Sequence, residues 1–371
     1  MKILVAGDFC PCDRVAFAFE RGNYEAVLGD VRKITSIADY SIVNFECPVV
    51  VNHSAPISKN GPNLCCAPNG IDAIKWAGFD CVTLANNHFR DYGTVGVADT
   101  ILTLEEKEID YVGGGNNIID ASRVLYKKIA SQKLAIINCC ENEFSIATIE
   151  SGGSNPLNPI RQYKAIKEAR EKADYVIVIV HGGHELFQLP SPRMVETYRF
   201  FIDAGADAVV NHHQHCYSGY ELYLGKPIFY GLGNLCFDNP SLHSGDWTEG
   251  YAVIIDFSFD NPVFSLHPYC QCAEDAKVEF LPKDAFNSRL SELNEIIANE
   301  DCLLEKVNMY YETCASLYSS IFEPLYNRYF LAARFKGWLP SFIKKNRKLA
   351  AENYICCEAH RDKLMWWLKH N

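Results

Sequence analysis

The chain has 371 residues, of which 48% are hydrophobic and 22% charged, with a formal net charge of −11. That length buries a sizeable core, and the composition excludes a disordered, collagenous or coiled-coil chain. The acidic balance gives no overall attraction for nucleic acid, so nucleic acid is not an expected partner. Sixteen cysteines are scattered, with adjacent pairs at Cys65–Cys66, Cys139–Cys140 and Cys356–Cys357. Such spacing does not read as a disulfide framework. The first apolar run is short and enters a glycine–acid turn at Gly7–Asp8, and no stretch approaches the length of a membrane-spanning helix. The expectation is a cytoplasmic protein with free thiols.

Short apolar runs at Ile3–Ala6, Ser41–Phe45, Cys81–Ala85, Leu134–Asn138, Tyr175–Val180 and Ala208–Val210 read as strands. The run Val176–Val180 is apolar on both faces, as in a buried central strand. Helices are expected at Gly70–Ala77, Thr94–Lys107, Gln162–Ala173 and Pro192–Ala204, the last ending at Gly205. Strands alternating with helices predict an α/β layered sheet. Beyond about residue 225 the pattern changes. Pro227–Leu232, Tyr251–Phe259 and Val263–Pro268 read as antiparallel strands, and Asn287–Phe322 as one helical stretch. These boundaries divide the chain into a core domain, 1–282, and a helical extension, 283–371.

The extension ends in a basic, aromatic tail. Residues 326–371 hold ten Lys/Arg against three Asp/Glu, with Tyr329, Phe330, Phe335, Trp338, Phe342, Trp366 and Trp367. Such a tail reads either as a helical cap on the main domain or as a peripheral membrane contact at the inner face.

Chemistry-bearing side chains fall at the ends of the predicted strands. Asp8 ends the first, Glu46 the second and Asn86-Asn87-His88 the third. His181 ends the run at 175–180, and His212-His213-Gln214-His215 follows 208–210. Any one of these alone reads as readily as a capping or turn residue. Together, at the carboxyl ends of strands of an open sheet, they converge on one rim. Two carboxylates, an amide and several imidazoles suit Mn, Fe or Zn. They are too many for one four-coordinate ion, so two divalent metal ions are expected. In a strand, His213 and His215 would project to the same side.

These same segments carry a family resemblance. The pieces Ala6-Gly7-Asp8, Asn44-Phe45-Glu46-Cys47-Pro48, Asn86-Asn87-His88-Phe89-Arg90-Asp91-Tyr92-Gly93, His181-Gly182-Gly183-His184-Glu185, the 205–215 segment and Tyr230-Gly231-Leu232-Gly233-Asn234 cover about residues 1–260. The chain resembles the bacterial capsule-synthesis CapA family of poly-γ-glutamate type, within the calcineurin-like metallophosphoesterase superfamily. The resemblance implies a layered αββα sandwich with a dinuclear centre. Asp8, Glu46, Asn87, His181, His213 and His215 would be ligands, with Glu46 bridging, and His88 would protonate the leaving group. Cys10, Asn44, Asn86, Asp91, His184, Glu185, His212 and Asn234 would contact substrate or support the ligands. Cys10 stands where the superfamily has a histidine, Glu46 where it has aspartate, and Gln214 where the family has proline. The implied activity is metal-dependent hydrolysis, foremost of a phosphoester, on a phosphorylated or polymer-related substrate and with capsule-synthesis proteins as partners. A non-catalytic accessory protein or a γ-glutamyl amide hydrolase are the other readings.

Overall fold

A computed structural model describes residues 1–51, 54–259, 261–322, 329, 333, 336, 338 and 345–370, with side chains of 315–322 excepted. Among the described residues, sixteen strands alternate with helices. In chain order they are β1 (Lys2–Cys10), β2 (Tyr40–Phe45), β3 (Cys81–Thr83), β4 (Asp110–Val112), β5 (Gly114–Gly115), β6 (Leu125–Ile129), β7 (Gln132–Cys140) and β8 (Gly153–Ser154). They continue with β9 (Tyr175–His181), β10 (Ala208–His212), β11 (Tyr220–Tyr223), β12 (Lys226–Phe229), β13 (Asn234–Phe237), β14 (Glu249–Asp256), β15 (Val263–Gln271) and β16 (Val278–Phe280).

The strands form two large sheets where the residue pattern alone predicts one rim. One runs β16-β15-β14-β1-β2-β3-β4, with β13 also on β1. The other runs β11-β12-β10-β9-β7-β6, and β5 and β8 form a small ladder of their own. Alternation along the strands builds the layers. Ile3, Val5 and Ile42 of the first sheet pack against Ile136, Ile177, Ile179 and Val210 of the second. Leu4, Ala6, Val43 and Val82 face the opposite way, onto helices Asp13–Glu20, Asn69–Ala77 and Gly93–Glu106. Ala135, Val176, Val178 and Val209 likewise bury against helices Pro159–Lys172 and Pro192–Ala204. The result is the αββα sandwich that the resemblance implied. The run 176–180 is apolar on both faces because it is covered by a sheet on one side and helices on the other.

The predicted helices are present, with ends set by local chemistry. Asn158 and Ser191 cap helices 159–172 and 192–204 with side-chain oxygens, each before a proline in the first turn. Gly205, at φ +120°, closes the second of these. Two expectations change. The 227–232 strand stops at Phe229 and pairs parallel to β10, while its antiparallel partner is β11. The stretch 287–322 is two helices, Lys283–Ala298 and Glu300–Phe322, broken at Asn299. The pair β14–β15 is antiparallel as expected.

Helices 283–298 and 300–322 pack onto the sandwich through Phe286, Leu290, Ile297, Leu303, Val307 and Tyr311. In the tail, Trp366 packs against the core of the second sheet, and Trp367 against Tyr354 and Leu364. Tyr329 and Trp338 are exposed. Phe330, Phe335 and Phe342 lie outside the described residues. Among the described residues no helix is long and apolar enough to cross a membrane, and all 16 cysteines are free.

Candidate metal centre

Three parallel strands of the first sheet and two of the second end at one place. Asp8 sits at a bulge. Ala6 pairs with Val43 and Asp8 with Asn44, which leaves Gly7 as the extra residue. A Cβ on Gly7 would lie 2.0 Å from the Gly233 carbonyl oxygen. That close approach lets the Asp8 N–H donate to Gly233 at 3.0 Å. Glu46 follows β2, and its N–H donates to the Phe9 carbonyl at 2.9 Å. The 86–88 turn is fixed by Asn86, whose Nδ2 donates to the Phe45 carbonyl and whose Oδ1 accepts from the His88 N–H. His181 is the last residue of β9 and His212 the last of β10. His213 and His215 are not in a strand. They lie beyond β10 with φ of +95° and +56°, a backbone region costly for such residues. The two imidazoles reach the centre by backbone reversal instead of strand alternation.

Two donor groups result. Glu46, His181 and His213 form one, and Asp8, Glu46 and His215 the other. Glu46 belongs to both. In the first, His181 Nε2 lies 3.0 Å from Asn87 Oδ1, 3.1 Å from His213 Nδ1 and 3.4 Å from Glu46 Oε1. In the second, His215 Nε2 lies 3.7 Å from Glu46 Oε1 and His215 Nδ1 3.7 Å from Asp8 Oδ2. His215 Nδ1 is also 2.9 Å from Asn234 Oδ1, an outer contact that orients the ring. Asn44 Nδ2 donates to Asp8 at 2.7 Å and lies 3.3 Å from His181 Nδ1, tying the two sheets together. His212 Nδ1 lies 3.2 Å from Asp8 Oδ1.

These residues fit divalent metal. Both Glu46 carboxylate oxygens are fully buried without a hydrogen-bond partner. Burial and the neighbouring Asp8 charge push the Glu46 pKa well above the usual carboxylate range. Burial pushes His181 well down and His213 down, so both present neutral lone pairs. Burial works to raise Asp8 as well, but His212, His215 and Asn44 outweigh it and its pKa falls. Two ring nitrogens, an amide oxygen and a carboxylate oxygen meeting at one point are not satisfied by a single shared proton.

Cys10 joins neither donor group. The neighbouring thiols of Cys12 and Cys47 hold its pKa well below the usual thiol value. His184 faces away, with Nε2 2.9 Å from the Tyr311 hydroxyl and its ring edge-on to that tyrosine. Glu185 is open to solvent yet deep-set. Burial works to raise its pKa, but the imidazoles of His213, His215 and His88 outweigh it.

His88 Nδ1 lies 2.7 Å from Asp91 Oδ2. Asp91 also accepts from the Leu64 N–H at 2.7 Å and from the Lys59 ammonium. Lys59 Nζ is 3.0 Å from His88 Nδ1, and its side chain is only 3% exposed. Burial lowers the His88 pKa, with Lys59 adding to that and Asp91 opposing it. Sequence reasoning did not find Lys59, which sits in an aperiodic loop, or Glu143, whose Oε1 is 4.0 Å from His213 Nε2. Neither lies at a strand end of a recognisable motif.

Residues 2–239 match the model of the family described as bacterial capsule synthesis protein PGA_cap. The chain is 34% identical over 246 residues to "Capsule biosynthesis protein CapA" of Bacillus anthracis, covering 64% of this chain and 60% of that protein. It is 31% identical over 222 residues to "PGA biosynthesis protein CapA" of Bacillus subtilis (strain 168), covering 59% of this chain and 58% of that protein. It thus spans less than two thirds of the length of either relative. Among solved structures, a putative 5'-nucleotidase from Staphylococcus aureus aligns with TM-score 0.43 at 15% identity, over 78% of this chain and 58% of that one. A hypothetical protein from Thermus thermophilus aligns with TM-score 0.47 at 17% identity, over 76% of this chain and 100% of that one. With nearly two thirds of its length matched by the family model, motifs included, the chain belongs to the bacterial capsule synthesis protein PGA_cap family.

Proposed function

We propose that this protein is a metal-dependent hydrolase serving capsule or exopolysaccharide synthesis, and that it cleaves a phosphoester at a centre of two divalent ions. The observation that carries this reading is Glu46, shared by both donor groups with both oxygens buried and otherwise unpartnered. Asp8 and His215 would hold one ion, Asn87, His181 and His213 the other, with Glu46 between them. Such a pair, when bound, supplies charge to polarise the scissile group and hydroxide at neutral pH.

The chain's own groups do the rest. Asn44 fixes the Asp8 carboxylate, and Asn234 orients His215. Asp91 engages His88 Nδ1, which leaves Nε2 as the nitrogen that gives a proton to the departing oxygen. Lys59 holds Asp91 in place and limits how basic His88 becomes.

Elemental analysis of purified protein, paired with hydrolysis assays on generic phosphomonoesters and phosphodiesters with added Mn²⁺, tests the reading. Bound metal and hydrolysis lost in His88→Ala are expected. Metal-loaded protein without hydrolysis, in which His88→Ala binds capsule polymer normally, would move the role to a non-catalytic accessory one.

A further inference from the structure

The helical layer on the second sheet presents a surface that the metal centre does not use. Helices Pro159–Lys172 and Pro192–Ala204 lie side by side there. Tyr163 of the first stacks on Phe200 of the second, with ring centroids 5.7 Å apart and planes 18° from parallel. The two rings are nonetheless 40% and 38% exposed. A cavity runs along each helix, and neither cavity touches the other helix, so the stacked rings stand between them. None of the metal-donor residues lines either cavity.

The two cavities are alike in size and opposite in charge. The one beside helix 159–172 measures about 660 Å³ and carries Arg123, Arg161 and Lys164. Its single acid, Glu168, is already paired with Lys172. Arg161 and Lys164 are exposed, and among the described residues their side chains have no partner. Ile119 and Ile149 on the same walls are 69% and 72% exposed. The cavity beside helix 192–204 measures about 620 Å³ and carries Glu196, Asp203 and Glu300. Its single cation, Arg199, is held by both oxygens of Glu221 at 3.0 and 2.7 Å and reaches Glu300 only at 3.6 Å. Leu304 on its wall is 48% exposed.

Apolar surface of this kind, exposed beside unpaired charge, marks a contact surface. An anionic partner would satisfy one half of the face and be repelled by the other, and a cationic partner the reverse. A surface with the same two halves in opposite order satisfies both. A two-fold axis through the aromatic pair supplies that surface from the same sequence, since in such a contact each patch meets its complement twice. Aromatic rings at the middle and charges outside them are also the usual anatomy of a stable interface.

We propose that this face is the contact surface of a two-fold dimer, whose occupant is a second copy of this chain. The Arg161 and Lys164 half of each copy lies on the Glu196 and Glu300 half of the other, with Tyr163 and Phe200 at the axis. The proposal does not depend on the hydrolase reading.

Sedimentation equilibrium of the full chain, from sub-micromolar to high micromolar concentration, tests it. A monomer–dimer equilibrium that weakens with added salt is expected. The pair Arg161→Glu with Lys164→Glu, and separately the pair Glu196→Lys with Glu300→Lys, should each weaken the dimer about tenfold or more, because like charges then meet across the axis. All four positions are exposed, so the fold is retained. Mixing the two double variants in equal amounts should restore dimers, since each brings the charges that the other lacks. Phe200→Ser should weaken the dimer with no change of charge. A parent that stays monomeric throughout, or dimers unaffected by both charge reversals, overturns the proposal. Double variants that are monomeric alone and remain monomeric when mixed overturn the two-fold arrangement.

Discussion

His88 Nδ1 and Asp91 Oδ2 lie 2.7 Å apart, one helical turn's spacing within a single loop, with Lys59 reaching both from another part of the chain. The two charges set the acid strength of the imidazole in opposite directions. Asp91 favours the imidazolium and Lys59 disfavours it, against a background of burial that lowers the pKa. For a proton donor that must be charged to act, the alkaline limb of the pH–rate profile tracks that pKa. Asp91→Asn is therefore expected to move the limb to lower pH, and Lys59→Met to higher pH. His88→Ala is expected to cost roughly 10²–10⁴-fold in kcat. Profiles for the two variants that shift the same way would contradict the arrangement.

Glu46 separates metal binding from folding. With no cation beside it, its carboxylate is buried, unpartnered and pushed well up in pKa by burial and by Asp8. Glu46→Gln removes that electrostatic penalty and also the donor common to both groups. Metal content by elemental analysis should fall sharply. The chelator-treated variant should melt no lower than the chelator-treated parent. A variant that keeps its metal, or one that is destabilised equally with and without chelator, would show that Glu46 is an ordinary structural acid.

Acid should destabilise the metal-free fold in a defined window. Burial lowers the pKa of His88, His181, His184 and His213 below the unfolded value of 6.5. Above that value both states are neutral at these rings and no linkage arises. Below it the unfolded chain binds protons that the fold refuses, so stability falls as pH falls. The slope is at most about 1.4 kcal/mol per pH unit for each ring. Melting curves in chelator between about pH 7.5 and about pH 5.5 would read it. His184→Gln, which alters neither donor group, should flatten the slope without changing metal content.

Much of this centre was legible because polar residues interrupt apolar runs at strand ends. Glu46, Asn87 and His181 stand where the pattern put them, while Asp8 lies at a bulge two residues before β1 ends at Cys10. What the pattern could not carry was the split into two sheets. Tyr175–Val180 and Ile3–Ala6 are both apolar runs, and nothing local tells which sheet either joins. His213 and His215 looked like strand alternation and meet Glu46 through left-handed backbone instead. Cys10 stands where the superfamily has a histidine, yet it joins neither donor group and Cys12 and Cys47 are its neighbours. Lys59 and Glu143 reach the site only through contacts that segments far from the strand-end motifs create.

The attachment of the C-terminal helices offers a last test. Glu141, buried after β7, accepts from Arg193 at 2.7 Å and from the Ala359 N–H at 3.0 Å. Arg193 donates onward to Asp362 at 2.9 Å, while Glu358 accepts from the Asn142 N–H at 2.8 Å. Burial works to raise the Glu141 pKa, but the charge and hydrogen bond of Arg193 outweigh it and the pKa is depressed. Its contribution is thus present above the unfolded carboxylate value of 4.5 and is lost as pH falls through the folded one. Arg193→Ala strands the Glu141 carboxylate and cuts the link to Asp362. With Arg193 partly solvent-exposed, the expected loss is about 2 kcal/mol at neutral pH, shrinking in acid as Glu141 protonates. Limited proteolysis should cut the variant within 345–370 well before the sandwich. Equal cleavage of variant and parent would mean that helix Glu358–His370 is held by its apolar face, through Leu364 and Trp366, and not by this ionic chain.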